Sequence, residues 1–185
     1  MAFTGTVPDA SLTGRMSNPI RKELLRWGDV EQLVDELIPQ FRHDIEAMVI
    51  VTRGGIVPGG LLAEALEVKD ILTASVQFPP INADHKLLAW PEFLQFPHED
   101  VLAGKRILVV DDVWASGRTI TSVKDRILGT AGLPELCVLH FNLARSLFGH
   151  TRPDYYGAVT DAYIVYPWEI DRGADFALRE PDVVS

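Results

Sequence analysis

The chain has 185 residues, of which 47% are hydrophobic and 23% charged, and its formal net charge at pH 7 is −9. These values predict a soluble globular protein with one substantial core, and the negative charge argues against general binding to nucleic acids or anionic membranes. The single cysteine, Cys137, excludes an intrachain disulfide and a site with several cysteine ligands, and its apolar neighbours predict a buried, unreactive thiol. No apolar run approaches membrane-spanning length and the N-terminus lacks a signal-peptide pattern, so we expect a cytoplasmic protein.

The N-terminal part predicts an arm followed by a structural helix. Residues 1–18 are rich in Gly, Pro, Ser and Thr without apolar periodicity, which is typical of a loosely packed arm. A helix is expected from about Trp27, with Asp29 as its N-cap and Gln32 completing a capping box. Its apolar face follows the helical period and comprises Val30, Leu33, Val34, Leu37 and Ile38.

A pair of glycines follows the next predicted strand, residues 47–51. This strand is apolar and leads directly, through one threonine, into Arg53, Gly54 and Gly55. Adjacent glycines after a strand can present backbone amides to an anion, although a tight turn would use them equally well. Apolar positions between Leu61 and Leu66 then predict a second helix.

Residues 71–76 predict a further strand, and the stretch after it is harder to interpret. Four prolines interrupt residues 78–100, which is compatible with a surface hairpin or with a contact in a dimer. His85 and Lys86 are the polar residues that we single out there, and such side chains in a loop are usually solvated.

The most informative stretch covers residues 106–121. Residues 107–110 form an unbroken aliphatic run, which favours a strand buried on both faces of a parallel sheet. Asp111 and Asp112 follow where such a strand would reach its carboxyl end. From Ile120 onward the apolar residues recur at helical spacing, so we predict a strand, a turn and a helix in that order.

Small and hydroxylic residues occupy the turn, among them Ala115, Ser116, Gly117 and Thr119. The free N–H groups and the positive dipole end of a helix make a site for a phosphate, and the hydroxyls of Ser116, Thr119 and Thr121 can add donors. The two preceding carboxylates suit hydroxyl groups or the waters around Mg²⁺. The residues therefore predict a ligand with a phosphate at one end and a diol or a metal beside it.

The C-terminal part adds a core strand and an aromatic tail. Residues 136–141 are apolar enough for a buried strand, and residues 154–169 contain several aromatic side chains. The flat face of Tyr163 suits a planar heterocycle, although packing in a small subdomain would also account for the aromatic residues. The alternation of buried strands and amphipathic helices predicts an α/β fold, in which helices flank a mostly parallel, twisted sheet.

Three segments resemble the type I phosphoribosyltransferases. Residues 106–121 resemble their binding motif for phosphoribosyl pyrophosphate (PRPP), in which a hydrophobic strand, two acidic residues and a small-residue loop follow one another. Residues 52–66 resemble the pyrophosphate-binding loop and helix of xanthine-guanine phosphoribosyltransferases. Residues 154–169 are similar to the C-terminal hood of bacterial and archaeal purine phosphoribosyltransferases.

This resemblance extends from about Trp27 to Glu169, and it implies one domain over residues 19–185 with a small hood at about 142–170. It implies Mg²⁺-assisted transfer of a phosphoribosyl group from PRPP to a nitrogenous base, with a purine as the expected nucleobase. It further implies a homo-oligomer, either a dimer or a tetramer, and a loop at 78–100 that closes over the substrates.

The resemblance also assigns roles to individual residues. Asp111 and Asp112 would be the catalytic carboxylates and would hold Mg²⁺ through water. The base would lie against Asn142, Tyr163 and Ile164. The implied PRPP-binding residues are Arg53, Gly54, Gly55, Asp111, Asp112, Ala115, Ser116, Gly117, Arg118 and Thr119.

Two positions depart from the pattern of the 6-oxopurine enzymes, and both concern the base. Ala115 stands where those enzymes carry an aspartate, and Asn142 stands where a lysine contacts the exocyclic oxygen. We therefore expect a weaker preference for 6-oxopurines. A transferase for a non-standard heterocycle and a PRPP-binding regulator without transferase activity are the alternatives. A Rossmann-type nucleotide-binding domain is disfavoured, because no G-x-G-x-x-G follows a strand.

Overall fold

The computed structural model describes residues 21–79 and 90–170. The strands that these residues form are β1 (Lys22–Leu24), β2 (Ala47–Val51), β3 (Ile71–Gln77), β4 (Glu92–Gln95), β5 (Arg106–Trp114), β6 (Leu133–Asn142), β7 (Tyr155–Thr160) and β8 (Tyr163–Val165). The α-helices are α1 (Trp27–Leu37), α2 (Ile56–Ala65), α3 (Arg118–Leu128) and the single turn α4 (Pro167–Ile170). Short 3-10 helices lie at Ile38–Gln40 and Glu99–Val101.

Six of the strands form one sheet in the order β4-β3-β2-β5-β6-β7. All neighbours in this sheet are parallel except β4, which runs antiparallel to β3. Helices α1 and α2 pack on one face and α3 packs on the other. The predicted α/β fold with a mostly parallel sheet and flanking helices is therefore confirmed. No helix among the described residues is long and apolar enough to cross a membrane.

The apolar runs of β2 and β5 are explained by burial on both faces. Successive side chains of a strand point to opposite faces, so Leu108 and Val110 pack beneath α1 and α2 while Ile107 and Val109 pack against α3. Each of these four side chains is fully buried. Because both faces are covered, neither strand can alternate apolar and polar residues, and the continuous run is the expected pattern.

A second, two-stranded sheet lies in the hood. Strand β8 pairs in parallel with β1, and Lys22 stands opposite Tyr163 in the register. Nothing in the sequence predicted a strand before Trp27, because three residues are too few to show a period. Strand β7, although it falls within 142–170, is the edge strand of the large sheet beside β6.

The structure corrects two predicted boundaries. The N-cap of α1 is Arg26, so the prediction of Asp29 as N-cap is wrong: Asp29 lies in the first turn, where its carboxylate accepts the N–H of Arg26 at 2.7 Å. Strand β5 continues past Val110 to Trp114, because it keeps pairing with β6 after its pairing with β2 has ended.

Within the described part of residues 78–100, strand β4 pairs antiparallel with β3 at the edge of the sheet. This agrees with the hairpin interpretation. His85 and Lys86 lie outside the described residues, so the closing loop stays a prediction.

Candidate active site

A cleft of about 410 Å³ opens where β2 and β5 end. Open α/β sheets bind their ligands at the carboxyl ends of parallel strands, and these two strands are neighbours in the sheet. The residues that line the cleft are Val51, Thr52, Arg53, Gly54, Val76, Asp111, Asp112, Thr119, Trp168 and Glu169. The two segments that were predicted separately, around residues 53–55 and 111–119, therefore meet in one place.

The glycines of the first segment are required by close packing against the second. A Cβ at Gly54 would lie 2.5 Å from Oδ1 of Asp112 and 2.6 Å from Oδ1 of Asp111, and a Cβ at Gly55 would overlap the carbonyl oxygen of Val110. The N–H of Gly55 donates to the carbonyl of Val51 at 2.9 Å, which closes the turn. The turn is thus pressed directly against the acid pair.

Burial dominates the electrostatics of the acid pair. It raises the pKa of Asp111 well above its ordinary value, and the charge of Asp112 raises it further. Burial also raises the pKa of Asp112 to about 6. The N–H of Val113, which donates to Oδ1 of Asp112 at 2.7 Å, acts to lower this pKa, and the nearby Glu169 carboxylate acts to raise it. Crowded carboxylates of this kind favour binding of a cation or of hydroxyl groups.

A turn leads into α3 as predicted, but it comprises residues 115–117, because α3 begins at Arg118, two residues before the predicted start at Ile120. Gly117 is the N-cap with φ of +82°, and a Cβ there would overlap the ring of Trp114, so only glycine suits the position. Thr119 lines the cleft, while Ala115 lines a second pocket beside it. Thr121, however, donates its hydroxyl to the carbonyl of Gly117 at 2.6 Å. The prediction of Thr121 as a ligand donor is therefore wrong, because a buried threonine in the first turn satisfies the helix itself.

Two further residues of this loop are also placed. The hydroxyl of Ser116 accepts a long hydrogen bond from the N–H of Arg118 at 3.4 Å, and the Arg118 guanidinium lies 4.0 Å above the ring of Phe78. Arg118 thus links the loop to the end of β3.

The second pocket, of about 90 Å³, lies between the cleft and the hood. It is bounded by Asp112, Val113, Ala115, Asn142, Arg145, Ala162, Tyr163, Ile164, Tyr166 and Glu169. The three residues predicted to contact a base, Asn142, Tyr163 and Ile164, are therefore brought together. Because Asp112 and Glu169 line both spaces, a ligand in one can adjoin a ligand in the other.

The side-chain amide of Asn142 is largely committed to the protein. Its oxygen accepts the N–H groups of Ala144 and Arg145, both at 3.1 Å, and its nitrogen donates to the carbonyl of Ala162 at 2.9 Å. The residue is only 2% exposed. Asn142 therefore organises the turn after β6 and ties it to the segment before β8.

The buried pair that anchors the acidic strand to the hood is not apparent from sequence patterns alone. The hydroxyl of Tyr166 donates to the backbone carbonyl of Asp112 at 2.8 Å and lies 2.9 Å from Nδ1 of His140. Since the single hydroxyl proton goes to the carbonyl, the imidazole donates its Nδ1–H. Burial raises the pKa of Tyr166 well above its ordinary value and lowers that of His140 to about 4, so both groups are neutral. The signal that the sequence offered for this pair was His140, a polar side chain inside the apolar run of β6.

Trp168 and Glu169 complete the wall of the cleft. The ring of Trp168 stacks on Tyr166 with centroids 4.4 Å apart and planes 5° apart. The carboxylate of Glu169 accepts the backbone N–H of Tyr166 at 2.9 Å, which holds the short helix α4 over the acid pair. Both residues lie in the predicted hood, but nothing in their spacing placed them at this cleft.

The chain is similar to known phosphoribosyltransferases. The model of the phosphoribosyl transferase domain family matches residues 21–154. A xanthine-guanine phosphoribosyltransferase of Ruegeria sp. (strain TM1040) is 30% identical over 144 residues, which cover 74% of this chain and 75% of the relative.

Two solved structures show the same fold. A purine phosphoribosyltransferase from Pyrococcus horikoshii Ot3 has a TM-score of 0.70 and 24% identity, and the match covers 90% of this chain and 99% of that one. A hypothetical protein from Neisseria gonorrhoeae with bound ppGpp has a TM-score of 0.70 and 23% identity, over 86% and 97% of the two chains. Because the family model and the curated relative each span most of the sequence, this chain belongs to the phosphoribosyltransferase family and is an enzyme with the type I fold.

Proposed function

We propose that this enzyme transfers the 5-phosphoribosyl group of PRPP to a ring nitrogen of a purine base and releases pyrophosphate. The observation that carries the proposal is the packing of the Arg53–Gly54–Gly55 turn against Asp111 and Asp112. This packing puts an amide-rich turn, two carboxylates and a helix N-terminus around one cleft. A ligand with phosphate groups at both ends of a ribose matches that arrangement.

PRPP lies in the cleft with its pyrophosphate at residues 53–55 and its 5′-phosphate at residues 115–119. The backbone amides of the first turn and the guanidinium of Arg53 carry the pyrophosphate charge, and the N-terminus of α3 carries the phosphate charge. Asp111 and Asp112 accept hydrogen bonds from the ribose hydroxyls between them. The hydroxyls of Ser116 and Thr119, together with Gly117 and Arg118, complete the phosphate loop.

The donor set suits Mg²⁺. Two buried carboxylates with raised pKa values gain from a nearby divalent cation, and Mg²⁺ usually binds through one or two carboxylates, waters and substrate phosphates. The described residues hold no group of three or more His, Cys, Asp or Glu that would form a cage made of protein ligands alone. Asp111 and Asp112 would hold the ion through water, and the ion would neutralise charge on the departing pyrophosphate.

Catalysis rests on positioning and on charge. The carboxylates of Asp111, Asp112 and Glu169 lie where positive charge develops on the ribose as the bond to pyrophosphate lengthens. The base in the adjacent pocket approaches the anomeric carbon from the opposite side, so the configuration inverts. Holding both reactants in adjoining spaces removes most of the entropic barrier to their encounter, and no covalent intermediate with the protein is required.

The second pocket, which we call the base pocket, belongs to the hood of a single domain that we assign to residues 19–185. Tyr163 stacks on the base, and the backbone at Ile164 contacts its edge. Asn142 lies beside them, but its amide oxygen already accepts two backbone N–H groups. Its contribution to the base is therefore the shape of the pocket and at most one remaining N–H donor.

Pyrophosphate release, measured with PRPP, Mg²⁺ and a panel of hypoxanthine, guanine, xanthine, adenine and uracil, tests the proposal. We expect release with at least one purine. Calorimetry with PRPP should show much weaker binding to the double variant Asp111→Asn, Asp112→Asn than to the wild type. Asp125→Asn, which changes an exposed carboxylate outside both pockets, is the matched control and should bind normally.

Unchanged PRPP affinity in the double variant would overturn the assignment of the cleft. PRPP binding by the wild type without pyrophosphate release for any base would instead favour a regulator. The predicted homo-oligomer, a dimer or a tetramer, is a separate expectation that light scattering measures directly.

A further inference from the structure

The base pocket contains a cation that no part of the proposal has used. Arg145 lines this pocket and, within the described residues, is its only positively charged wall residue. Two carboxylates, Asp112 and Glu169, line the same space. Even so, the guanidinium of Arg145 forms no ion pair within 4.0 Å with a carboxylate of residues 21–79 or 90–170. Among the described residues, therefore, no carboxylate is paired with the Arg145 guanidinium that lines this pocket.

The backbone of Arg145 is fixed although its side chain is exposed. The buried amide oxygen of Asn142 accepts the N–H of Arg145 at 3.1 Å, and the amide nitrogen donates to Ala162 just before β8. The same amide thus joins the turn that carries Arg145 to the strand that carries Tyr163. Arg145 also acts on Tyr163 electrostatically: burial and the charge of Glu169 raise the pKa of Tyr163, and the charge of Arg145 opposes them.

We propose that Arg145 is the specificity-determining residue for the base and that it selects purines with an oxo group at position 6. This inference rests on the proposed function. A guanidinium offers a planar fork of N–H donors and accepts nothing. The carbonyl oxygen O6 and the ring nitrogen N7 of a 6-oxopurine are two acceptors that such a fork can bind together. Adenine presents an amino donor at that position, so one arm of the fork would face a donor.

The two residues divide the task. The amide of Asn142 carries no positive charge and is bonded to backbone groups, but through these bonds it positions Arg145, which does carry one. The preference for 6-oxopurines is then retained, in contrast to the weaker preference that we expected from the sequence. A different role for Arg145 is a contact to the 5′-phosphate, because Ala115 of the phosphate loop lines the same pocket. The experiment separates the two roles.

The test compares kcat/KM for hypoxanthine, guanine and adenine at saturating PRPP in the wild type, Arg145→Gln and Arg145→Lys. Arg152→Gln is the control, because Arg152 is an exposed arginine in the loop after β6 and lines neither pocket. We expect the wild type to prefer the 6-oxopurines. Losing a charge-assisted hydrogen bond should lower kcat/KM for hypoxanthine about 10- to 100-fold in Arg145→Gln. Adenine turnover and the KM for PRPP should change less than about threefold, and Arg145→Lys should recover part of the loss.

Equal losses for hypoxanthine and adenine, or a wild type that prefers adenine, would overturn the inference. A rise in the KM for PRPP without a change in base preference would assign Arg145 to the phosphate. Calorimetric binding of guanosine and adenosine 5′-monophosphates to the same variants gives a reading without turnover. If the wild type releases no pyrophosphate, the proposed function fails, while a guanosine preference that disappears in Arg145→Gln would still support the role of Arg145.

Discussion

Replacing Tyr166 by phenylalanine removes one oxygen atom from the junction between the acidic strand and the hood. The ring is 1% exposed, and phenylalanine preserves both its volume and its stacking on Trp168. Two hydrogen bonds are lost: the backbone carbonyl of Asp112 loses its donor at 2.8 Å, and Nδ1 of His140 loses its partner at 2.9 Å.

The expected loss of stability follows from those two unpaired groups. A buried polar group without its partner costs about 1–3 kcal/mol, and His140 can reduce its share by changing tautomer. We therefore expect Tyr166→Phe to lower the free energy of unfolding by about 2–4 kcal/mol. Tyr163→Phe is the matched control: the same atom is removed three residues earlier, from a half-buried ring whose hydroxyl makes no hydrogen bond with the described residues. Its effect should stay below about 0.5 kcal/mol.

Urea unfolding of both variants and the wild type at pH 7.5 gives the three free energies, provided that the m-values agree. Pyrophosphate release by the same samples should fall further in Tyr166→Phe than in Tyr163→Phe at equal base saturation, since only the former loosens the backbone of Asp112. Equal losses of stability in the two variants would refute the argument, because the hydrogen bonds would then contribute nothing beyond the ring.

Three other perturbations have expected outcomes. In EDTA, the double variant Asp111→Asn, Asp112→Asn should be more stable than the wild type at pH 8 by on the order of 1 kcal/mol, measured by urea unfolding. Burial raises the pKa of both carboxyl groups, that of Asp112 to about 6, so the stability that their protonated forms contribute is lost as the pH rises through their folded-state pKa values. Gly117→Ala should destabilise the fold by about 2–4 kcal/mol, because φ is +82° there and the added Cβ would overlap the ring of Trp114. Gly28→Ala is the control, because a Cβ there has open space, and it should leave the thermal midpoint nearly unchanged or raise it. The free energy of unfolding of the wild type should fall by about 2–3 kcal/mol relative to that of His140→Gln as the pH falls from about 6.5 to 4. The reason is that the pKa of His140 is lowered to about 4 in the folded protein, so the unfolded chain takes up the proton first. Parallel curves of stability against pH would contradict this.

Local patterns predicted most of the large sheet. Strands β2 and β5 contain runs of consecutive apolar residues, and helices α1 and α3 show a helical period. Neither pattern requires knowledge of distant contacts. The strand at residues 107–110 and the helix from Ile120 followed directly from such patterns. The pairing of β1 with β8 did not, because it joins residues about 140 positions apart and its strands are three residues long.

The same distinction applies to the site. The order of strand, acid pair, small-residue loop and helix indicated where a phosphate and a diol could bind, since those groups follow one another along the chain. The partners of Asn142 and Thr121 could not be predicted, because an amide or hydroxyl can bind a ligand or the backbone equally well. Only the folded chain shows that both are used internally.

The sequence by itself determined the class of fold, the family resemblance and the two segments that form the cleft, because periodicity and short motifs depend on neighbouring residues. Tertiary structure decided which distant groups share one space. The Tyr166 hydroxyl reaches the backbone carbonyl of Asp112, and Arg145 and Glu169 line one pocket with Asp112, because the fold brings these distant segments together. The pKa values in the site were decided in the same way, since they depend on burial and on charges that the fold brings within a few ångströms of each other.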